Sequence, residues 1–396
     1  MIGVIADDFT GAAEIGAVGL RHGLRAEVLL NGDPSGNVDL VCIDTDSRSC
    51  APEEAGRRSA AAANLLASRG ADWIYKKVDS VLRGQITAEI QAILSELELS
   101  RALLIPANPS LGRTIQKGCY FIRGKPIHET EFARDPEYPR TSARVHDLLG
   151  TAETSAVTVC ATGDELPNQG IIVGQVENVN DLRHWASRRS QETLVAGGAE
   201  FFGALLVGAG HKPRNLQPVA TRQALRKRKE VFVCGSTSES SHEFVRSASE
   251  GGTPVFSLPQ AAQHLEFDWS LLEPIVQAAL AALASQARII LNVGLPPIND
   301  KVVAKMLATY LAQVAESLVR QGSPGLVGHF FAEGGATAKE LVRHLGWKRL
   351  AVLEEVALGT ATLAVDGHPK LTIKPGSYLW PDSIQRPTNR PKCVGS

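Results

Sequence analysis

The sequence predicts an α/β protein of two domains, each with a mostly parallel β-sheet flanked by helices. The chain has 396 residues, which is long for one ordinary core and suits two. Short aliphatic and β-branched runs alternate with stretches rich in Ala, Leu and Glu, as they do in βαβ units. Residues 210–230 carry two prolines and a run of cations without a sustained apolar period, so we expect the domains to span 1–210 and 230–385.

The expected elements alternate along both halves of the chain. In the first half a strand ends at Ala6 and a helix follows, and the next elements are strands at 26–30, 40–44, 73–78, 102–106, 157–160 and 170–173 and helices at 53–69, 87–97 and 181–192. In the second half we expect strands at 231–234, 253–257, 288–293, 325–331 and 349–352, and helices at 239–248, 271–284, 301–320 and 338–345. Residues 386–396 are expected to form an unstructured tail.

Composition and charge exclude several classes of protein. The net charge of −1 argues against a nucleic-acid partner, and the cations at 226–229 are interpreted as a solvated helix or linker end. The 6 cysteines form no C-x-x-C pair and no zinc spacing, so we expect reduced thiols. No signal peptide is visible, and no apolar run approaches the roughly 18 residues of a membrane span. These features predict a cytoplasmic protein without a membrane partner.

Two carboxylates, Asp7 and Asp8, directly follow the first strand and precede a helix start. In open α/β sheets ligands bind outside the carboxyl ends of the strands, where the following helix also points its free N–H groups. An anionic substrate or a metal-bound phosphate suits such a corner. The alternative is that Asp8 or Thr10 only caps the helix, since both residue types are preferred there.

Polar residues also follow later strands of the first half. Arg48, in the run after residue 44, offers a planar fork that suits a carboxylate or phosphate. A third run combines two cations, a carboxylate, a hydroxyl and an arginine, and its alternative reading is a surface ion-pair cluster: Lys76-Lys77-Val78-Asp79-Ser80-Val81-Leu82-Arg83-Gly84. The proline-rich loop at 105–109 and the turn at 112–114 could approach a small ligand. His128 is interpreted as structural and left outside the site.

Glycine-rich turns follow two strands of the second half. Their N–H groups and hydroxyls could bind phosphate, although glycines also serve merely as tight turns; the runs are Gly235-Ser236-Thr237-Ser238 and Glu333-Gly334-Gly335-Ala336-Thr337. Neither a Walker A pattern nor G-x-G-x-x-G occurs, so standard P-loop and dinucleotide sites, and with them a dehydrogenase, are poorly supported.

Taken in order, these motifs resemble the four-carbon acid sugar kinase family, and the resemblance covers nearly the whole chain. The N-terminal motifs that carry it are Ala6-Asp7-Asp8-Phe9-Thr10-Gly11-Ala12, Asp46-Ser47-Arg48, the run from Lys76 to Gly84, Pro106-Ala107-Asn108-Pro109, Gly112-Arg113-Thr114 and Phe132-Ala133-Arg134-Asp135-Pro136. Less specific motifs follow at Ala196-Gly197-Gly198, Gly235-Ser236-Thr237-Ser238, Gly334-Gly335-Ala336-Thr337 and Lys374-Pro375-Gly376-Ser377.

The resemblance implies a sugar-acid-binding N-terminal domain, an ATP-binding C-terminal domain and an active site in the cleft between them. It implies ATP-dependent phosphorylation of a terminal hydroxyl on acids such as threonate, erythronate or 3-oxo-tetronate. The residues expected to contact the acid are Asp8, Arg48, Lys77, Asp79, Ser80 and Arg83. Those expected at ATP are Ser236, Gly334, Gly335, Thr337, Lys374, Gly376 and Ser377.

Phosphoryl transfer asks mainly for positioning and for neutralising charge on the transferred group. We therefore expect Arg48 and Arg83 to hold the acid's carboxylate bidentately. Asp8 is the first candidate to accept or orient the hydroxyl proton and Asp7 the second, so the catalytic set is Asp8, Asp7 and Arg83. Mg²⁺ would bridge the ATP phosphates with few protein ligands, and no ligand residue is assigned. A homodimer is expected on general grounds.

Two departures from the family pattern keep an alternative open. The family commonly has an acidic or polar residue after the double glycine, where this chain has Ala336, and the region between 345 and 374 is short. The alternative is a catalytically silent homologue that binds a sugar acid with a weakened ATP site.

Overall fold

The computed structural model describes residues 1–135, 137–150, 157–214, 229–264, 266–296, 300–376 and 378–385. The chain divides into two compact units, one of residues 1–217 with 348–353 and the other of residues 218–347 with 354–396. The predicted tail at 386–396, the cations at 226–228 and most of the predicted boundary segment lie outside the described residues.

The first unit is built on a parallel sheet. Its strands are β1 (Ile2–Ala6), β2 (Ala26–Leu29), β3 (Leu40–Asp44), β4 (Trp73–Lys77), β5 (Arg101–Ile105), β6 (Arg113–Gln116), β7 (Cys119–Ile122), β8 (Lys125–Pro126), β9 (Val157–Cys160), β10 (Gly170–Gly174) and β11 (Thr193–Gly197). The order across the sheet is β2–β3–β1–β4–β11–β5–β10–β9, and each neighbouring pair is parallel. The predicted mostly parallel sheet is therefore confirmed for this unit.

Helices follow most strands of this sheet. They are α1 (Phe9–Arg21), α2 (Pro52–Ser68), α3 (Ile86–Glu96), α4 (Val145–Leu148), α5 (Val179–Ser187) and α6 (Ala199–Gly208). The strands are nearly all buried, as expected for a parallel sheet covered on both faces. Pro52 stands in the first turn of α2, where its missing N–H costs nothing. Single 3₁₀ turns occupy Pro109–Leu111, Ile127–Glu129 and Glu131–Arg134.

Two features of the first unit were not predicted. β6, β7 and β8 form a small antiparallel sheet between residues 113 and 126, where no strand was predicted. Residues 348–353, which the prediction placed in the second domain, belong to the first unit, and Arg349–Ala351 pair antiparallel with Glu27–Leu29 of β2. The strand pattern there was predicted correctly, but a pattern does not reveal which sheet edge a strand joins.

The second unit has its own mainly parallel sheet. Its elements are β12 (Lys229–Cys234), α7 (Glu239–Glu250), β13 (Val255–Ser257), α8 (Glu273–Ser285), β14 (Arg288–Asn292), α9 (Lys301–Gln321), β15 (Val327–Glu333), α10 (Gly335–His344), β16 (Arg349–Ala357, shared with the first unit), β17 (Thr360–Ala364), β18 (Lys370–Lys374) and α11 (Asp382–Gln385). The strand order is β13–β14–β12–β15–β18–β17, with only the β17–β18 pair antiparallel among the described pairs. The predicted α/β architecture is confirmed here too.

One helix departs from the expectation that no segment approaches the length and apolar character of a membrane span. Within the part of the chain that the structure describes, α9 is long and apolar enough, by length and composition alone, to cross a membrane. The sequence has no continuous apolar run of that length here, because polar and charged residues interrupt the apolar ones. The apolar side of α9, including Leu307, Leu311 and Leu318, is buried inside the second unit, as in a core helix.

Candidate functional site

The candidate residues of the first unit meet at the carboxyl ends of β3, β1 and β4. These three strands are adjacent, and their register aligns Ala6 with Asp44 on one side and with Lys77 on the other. The chain leaves β1 toward β2 and leaves β3 toward β4, so it departs in opposite directions at this point. Such a topological switch point is where open α/β sheets bind ligands. We call Asp7, Asp8, Arg48, Lys77, Asp79 and Arg83 the charged cluster.

Arg48 joins three carboxylates of the cluster. Its Nε and Nη2 donate to the two Asp7 carboxylate oxygens at 2.7 and 3.1 Å. Its Nη1 lies 2.9 Å from Asp8 Oδ2 and 3.8 Å from Asp79 Oδ1. The Asp7 side chain is 2% exposed and the Arg48 side chain 19%, so the carboxylate of this pair is almost completely shielded from water. The Arg48 fork is therefore engaged by the protein's own carboxylates.

Asp8 both caps α1 and belongs to the charged cluster. Its carboxylate accepts hydrogen bonds from the Gly11 N–H at 2.8 Å and from the Thr10 hydroxyl at 2.6 Å. The capping alternative and the site interpretation therefore describe the same side chain. Burial raises the pKa of Asp8, but Arg48, Thr10 and Lys77 outweigh burial and hold the pKa below its usual value. Asp8 is an anion at neutral pH.

Asp79 and Arg83 form the second arm of the cluster. Asp79 accepts hydrogen bonds from Arg83 Nε at 3.0 Å and Nη2 at 2.8 Å, and from the backbone N–H groups of Val81 and Arg83. Burial raises the pKa of Asp79, but Arg83 and Arg48 hold it well below its usual value. Gly84 closes this turn with φ +93°, and a Cβ there would lie 3.3 Å from Asp7 Oδ2. Glycine at position 84 therefore allows the turn that carries Asp79 and Arg83 to lie close to Asp7.

Lys77 and Ser80 complete the predicted acid site. Lys77 Nζ lies 3.2 Å from Glu14 Oε2 and donates to the Val78 carbonyl at 3.0 Å. Burial lowers the pKa of Lys77, but Glu14 and Asp8 raise it above its usual value. The Ser80 hydroxyl accepts a hydrogen bond from Arg113 Nη1. The predicted charged residues of the acid site thus come together at this edge, whereas the Ser80 side chain is engaged by Arg113.

Lys76 lies on the opposite face of β4 from Lys77, because successive strand residues alternate. It is fully buried and its Nζ lies 3.0 Å from Glu89 Oε2. The Ser47 hydroxyl donates to the other oxygen of Glu89. Burial raises the pKa of Glu89, which Lys76 counteracts only in part. The ion pair between Lys76 and Glu89 therefore joins β4 to α3 on the sheet face opposite Lys77.

Three residues near the charged cluster were not among the predicted site residues: one lies in the motif at 132–136 and two follow it. Asp135 accepts a hydrogen bond from Arg83 Nη1 at 3.1 Å and from the Tyr138 N–H at 2.8 Å. The Tyr138 hydroxyl donates to the Arg48 carbonyl at 2.5 Å. Arg140 is buried next to them. Only Asp135 stood in a quoted motif, and Pro136 lies outside the described residues.

His128 and the loop at 106–109 have structural surroundings. His128 Nε2 lies 3.8 Å from Glu129 Oε1, on a half-exposed turn. Asn108 is buried, and its side-chain oxygen accepts a hydrogen bond from the Glu200 N–H at 3.3 Å. The loop therefore packs on the start of α6, next to the glycine pair at 197–198.

In the second unit, three predicted segments converge at the carboxyl ends of β12, β15 and β18, which are adjacent in the sheet. Ser236 Oγ and Ser238 Oγ donate to the Gly376 carbonyl at 3.3 and 3.1 Å. A Cβ on Gly235 would lie 1.9 Å from Thr337 Oγ1, so glycine is needed for this approach. We call residues 235–238, 334–337 and 376 the glycine cradle. Ser377 lies outside the described residues.

The start of α10 forms one wall of the cradle. Gly334 has φ +92°, and its N–H donates to the Lys374 carbonyl at 3.0 Å. No side chain caps α10, so the N–H groups of its first turn are available to an anion. Thr337 is buried at this start and Ala336 is exposed. The cradle therefore offers backbone donors and hydroxyls to a phosphate.

Lys374, predicted at ATP, lies beneath the cradle. It is fully buried, and its Nζ donates to Glu333 Oε1 at 2.5 Å. Glu333 also accepts a hydrogen bond from the Ser241 hydroxyl at 2.8 Å. Burial lowers the pKa of Lys374, against the effect of Glu333. In this arrangement Lys374 ties β18 to β15 and positions the cradle.

Two family models match most of the chain. Residues 2–205 match a sugar-binding N-terminal domain, and residues 231–378 match a nucleotide-binding C-terminal domain. A D-threonate kinase of Salmonella typhimurium is 27% identical over 388 residues, covering 89% of this chain and 88% of that protein. A 3-oxo-tetronate kinase of Actinobacillus succinogenes is 28% identical over 415 residues, covering 96% of each. A crystal structure of a Haemophilus influenzae protein, 24% identical, shares the fold with a TM-score of 0.71 and covers 95% of this chain and 96% of that one.

Proposed function

We propose that this chain, which belongs to the four-carbon acid sugar kinase family, uses ATP to phosphorylate the terminal hydroxyl of a small sugar acid. Threonate, erythronate and 3-oxo-tetronate are the substrates that we expect first. The kinase names of relatives that align with nearly the full chain support this proposal. The cytoplasmic location, the homodimer and the lack of membrane and nucleic-acid partners stay predictions.

The glycine cradle is the observation that carries the proposal. Its loops leave neighbouring strands, and the uncapped start of α10 adds backbone N–H groups. Backbone donors at a helix start suit a polyphosphate, because the helix dipole favours negative charge there. ATP is the phosphate donor that we propose for this cradle, with Ser236, Gly334, Gly335, Thr337 and Gly376 around its phosphates. Lys374 acts by holding the cradle in shape.

The charged cluster is our proposed acceptor site. The sugar-acid hydroxyl attacks the γ-phosphorus, the bond from this phosphorus to the ADP oxygen breaks, and the hydroxyl proton passes to a carboxylate or to solvent. Asp8 orients this hydroxyl, with Asp7 as the second candidate, and Arg83 contributes positive charge. The lowered pKa of Asp8 suits hydroxyl orientation better than strong base catalysis, and phosphoryl transfer asks for little base strength.

Mg²⁺ enters our proposal together with ATP. Among the described residues no group of three or more His, Cys, Asp and Glu side chains is arranged to hold a metal ion. The hydroxyls of Ser236 and Thr337 are suitable oxygen donors beside bound phosphates. This donor set would fit Mg²⁺ that enters with the nucleotide and keeps several of its waters. The ion would neutralise phosphate charge during transfer.

A catalytically silent, acid-binding homologue is the second candidate. Ala336 favours it, because this residue is exposed at the start of α10 and offers neither charge nor hydroxyl to a nucleotide. Such a protein would keep the charged cluster and bind ATP weakly.

A substrate panel separates the two candidates. Purified protein is incubated with Mg-ATP and D-threonate, D-erythronate, L-threonate or 3-oxo-tetronates, and ADP release is measured. Acid-dependent ADP release with one member supports the kinase and identifies its substrate. A parallel thermal-shift titration with Mg-ATP reports nucleotide binding, because a ligand of the folded state raises the midpoint. No ADP release with any acid, combined with no change of the thermal midpoint by Mg-ATP, would favour the silent homologue.

A further inference from the structure

Arg140 lies next to the charged cluster with part of its guanidinium unpaired. The residue is 8% exposed, and its Nε and Nη2 have no hydrogen-bond partner among the residues that the structure describes. Its Cζ lies 5.9 Å from the centre of the Tyr138 ring, and its backbone N–H donates to the Phe132 carbonyl at 3.0 Å. Burying an arginine with unmet donors is costly, so such a group calls for an anionic partner.

The acidic groups around Arg140 are already engaged. Asp79, Asp135 and the cation Arg83 are the charged neighbours that influence it, together with the Tyr138 phenol. The Asp79 carboxylate accepts hydrogen bonds from Nε and Nη2 of Arg83. The Asp135 carboxylate accepts hydrogen bonds from Nη1 of Arg83 and from backbone N–H groups. Burial lowers the pKa of Arg140, as expected for a cation that these acids compensate only in part.

Three arginines of this region can be compared atom by atom. In Arg48 the edge formed by Nε and Nη2 holds the Asp7 carboxylate, and in Arg83 the same edge holds Asp79. In Arg140 this edge has no partner among the described residues. An Nε and Nη2 edge presents two parallel N–H groups, which match the two oxygens of a carboxylate.

We propose that Arg140 binds the carboxylate of the acid substrate through its Nε and Nη2 edge. This inference rests on the proposed function, because it assumes that the first unit binds a sugar acid. We had expected Arg48 and Arg83 to hold the substrate carboxylate, and this proposal assigns that role to Arg140 instead. Arg48 and Arg83 then keep the cluster's aspartates in place, and these aspartates face the hydroxyls. Arg140 thereby selects acids over the corresponding neutral compounds.

Calorimetric titration of the full chain without nucleotide tests this role directly. The probes are D-threonate and its carboxamide, which has the same hydroxyls and no charge, followed by the other acids of the panel if D-threonate does not bind. Arg140→Gln is compared with Arg134→Gln, a matched variant that removes one charge from an exposed position of the same segment. Arg140→Lys keeps the charge and loses the planar fork.

We expect Arg140→Gln to weaken acid binding about 10- to 100-fold, the usual value of hydrogen bonds to a charged group. Binding of the carboxamide should change less than about twofold, and Arg140→Lys should recover part of the acid affinity. The thermal midpoint of each variant verifies that it is folded. An equal loss for acid and carboxamide, acid affinity like that of Arg134→Gln, or a wild-type chain that binds no panel acid would overturn the proposal.

The same variants distinguish this inference from the kinase proposal. Acid binding that depends on Arg140 without any ADP release removes the kinase and leaves the role of Arg140 standing. ADP release with an unchanged KM for the acid in Arg140→Gln removes that role and leaves the kinase.

Discussion

The charged cluster of the first unit and the glycine cradle of the second differ in the chemical groups that form them. Most charges of the cluster are paired with each other, at 2.7 to 3.1 Å in the Arg48 and Asp7 pair, while Lys77 pairs with Glu14 at 3.2 Å. The cradle consists of backbone groups and hydroxyls, and its ion pair, Glu333 and Lys374, lies buried beneath it. We therefore propose that side-chain charges select the ligand of the first unit and that backbone shape selects the ligand of the second.

Removing a charge from the cluster should have the largest effect on activity. Asp8→Asn keeps the helix cap, because Asn is also favoured there, and loses the anion that faces Arg48. We expect kcat to fall about 100- to 10,000-fold, the range for losing a side chain that positions the reacting hydroxyl and its proton. Asp300→Asn is the matched control, because Asp300 caps α9 in the same way far from the cluster in sequence. Full turnover by Asp8→Asn, with both substrates bound, would remove Asp8 from catalysis.

Breaking the ion pair beneath the cradle should mainly affect stability. Lys374→Met leaves the Glu333 carboxylate buried and unpaired, which costs about 3–5 kcal/mol of unfolding free energy. The double variant with Glu333→Gln should recover most of this loss, because no charge then stays buried. Denaturant unfolding of the wild type and of these two variants measures both effects. A Lys374→Met protein of normal stability that loses only ATP affinity would mean that Lys374 contacts the nucleotide directly.

The two units should also respond differently to acid. His329, on β15 of the second unit, stacks on Phe331 with 4.1 Å between the ring centres. Burial lowers the pKa of His329 from 6.5 to about 3. The unfolded state then binds more protons below pH 6.5, so stability falls by up to about 1.4 kcal/mol per pH unit as the pH decreases toward the folded pKa. In the cluster, Asp8 and Asp79 have lowered pKa values, so their contribution is lost only below their unfolded pKa, at about pH 4.

Segment-resolved hydrogen exchange between pH 7 and pH 4.5 tests this contrast. Protection of β15 and β18 should decrease over this range, while protection of β1 and β4 should decrease less, because burial lowers the pKa of His22 in the first unit by less than that of His329. His329→Phe should flatten the response of the second unit. Equal loss in the two units, or no effect of His329→Phe, would show that other groups govern the acid response.

Adding a methyl group to the cradle should produce the smallest of these effects in free energy. Gly235→Ala places a Cβ against Thr337 Oγ1, so the loop or α10 must shift, at about 1–3 kcal/mol for an overpacked contact. We expect Mg-ATP affinity to decrease about 5- to 150-fold, while acid binding is unchanged. Gly163→Ala, where a Cβ meets nothing within 4 Å, is the control. Unchanged nucleotide affinity would contradict the proposed cradle.

Local sequence determined the strand ends and helix starts of both sites. An apolar run followed by Asp7 and Asp8, or by Gly235, predicts a strand, a turn and a helix from neighbouring residues alone, and the structure has these elements. Because parallel strands of one sheet end at the same edge, their motifs could also be expected to converge. These features depend on side-chain period, capping and turn conformation, which are short-range effects.

Only the tertiary structure decided which groups pair. It engaged Arg48 with Asp7, buried Lys374 on Glu333, joined residues 349–351 to β2 and left an edge of Arg140 without a described partner. Each outcome depends on groups brought together by packing across long stretches of chain, and a charged residue in a motif does not reveal its partner. Residue types and their periods therefore determined the fold class and the region of the site, while long-range packing and desolvation decided the role of each charge.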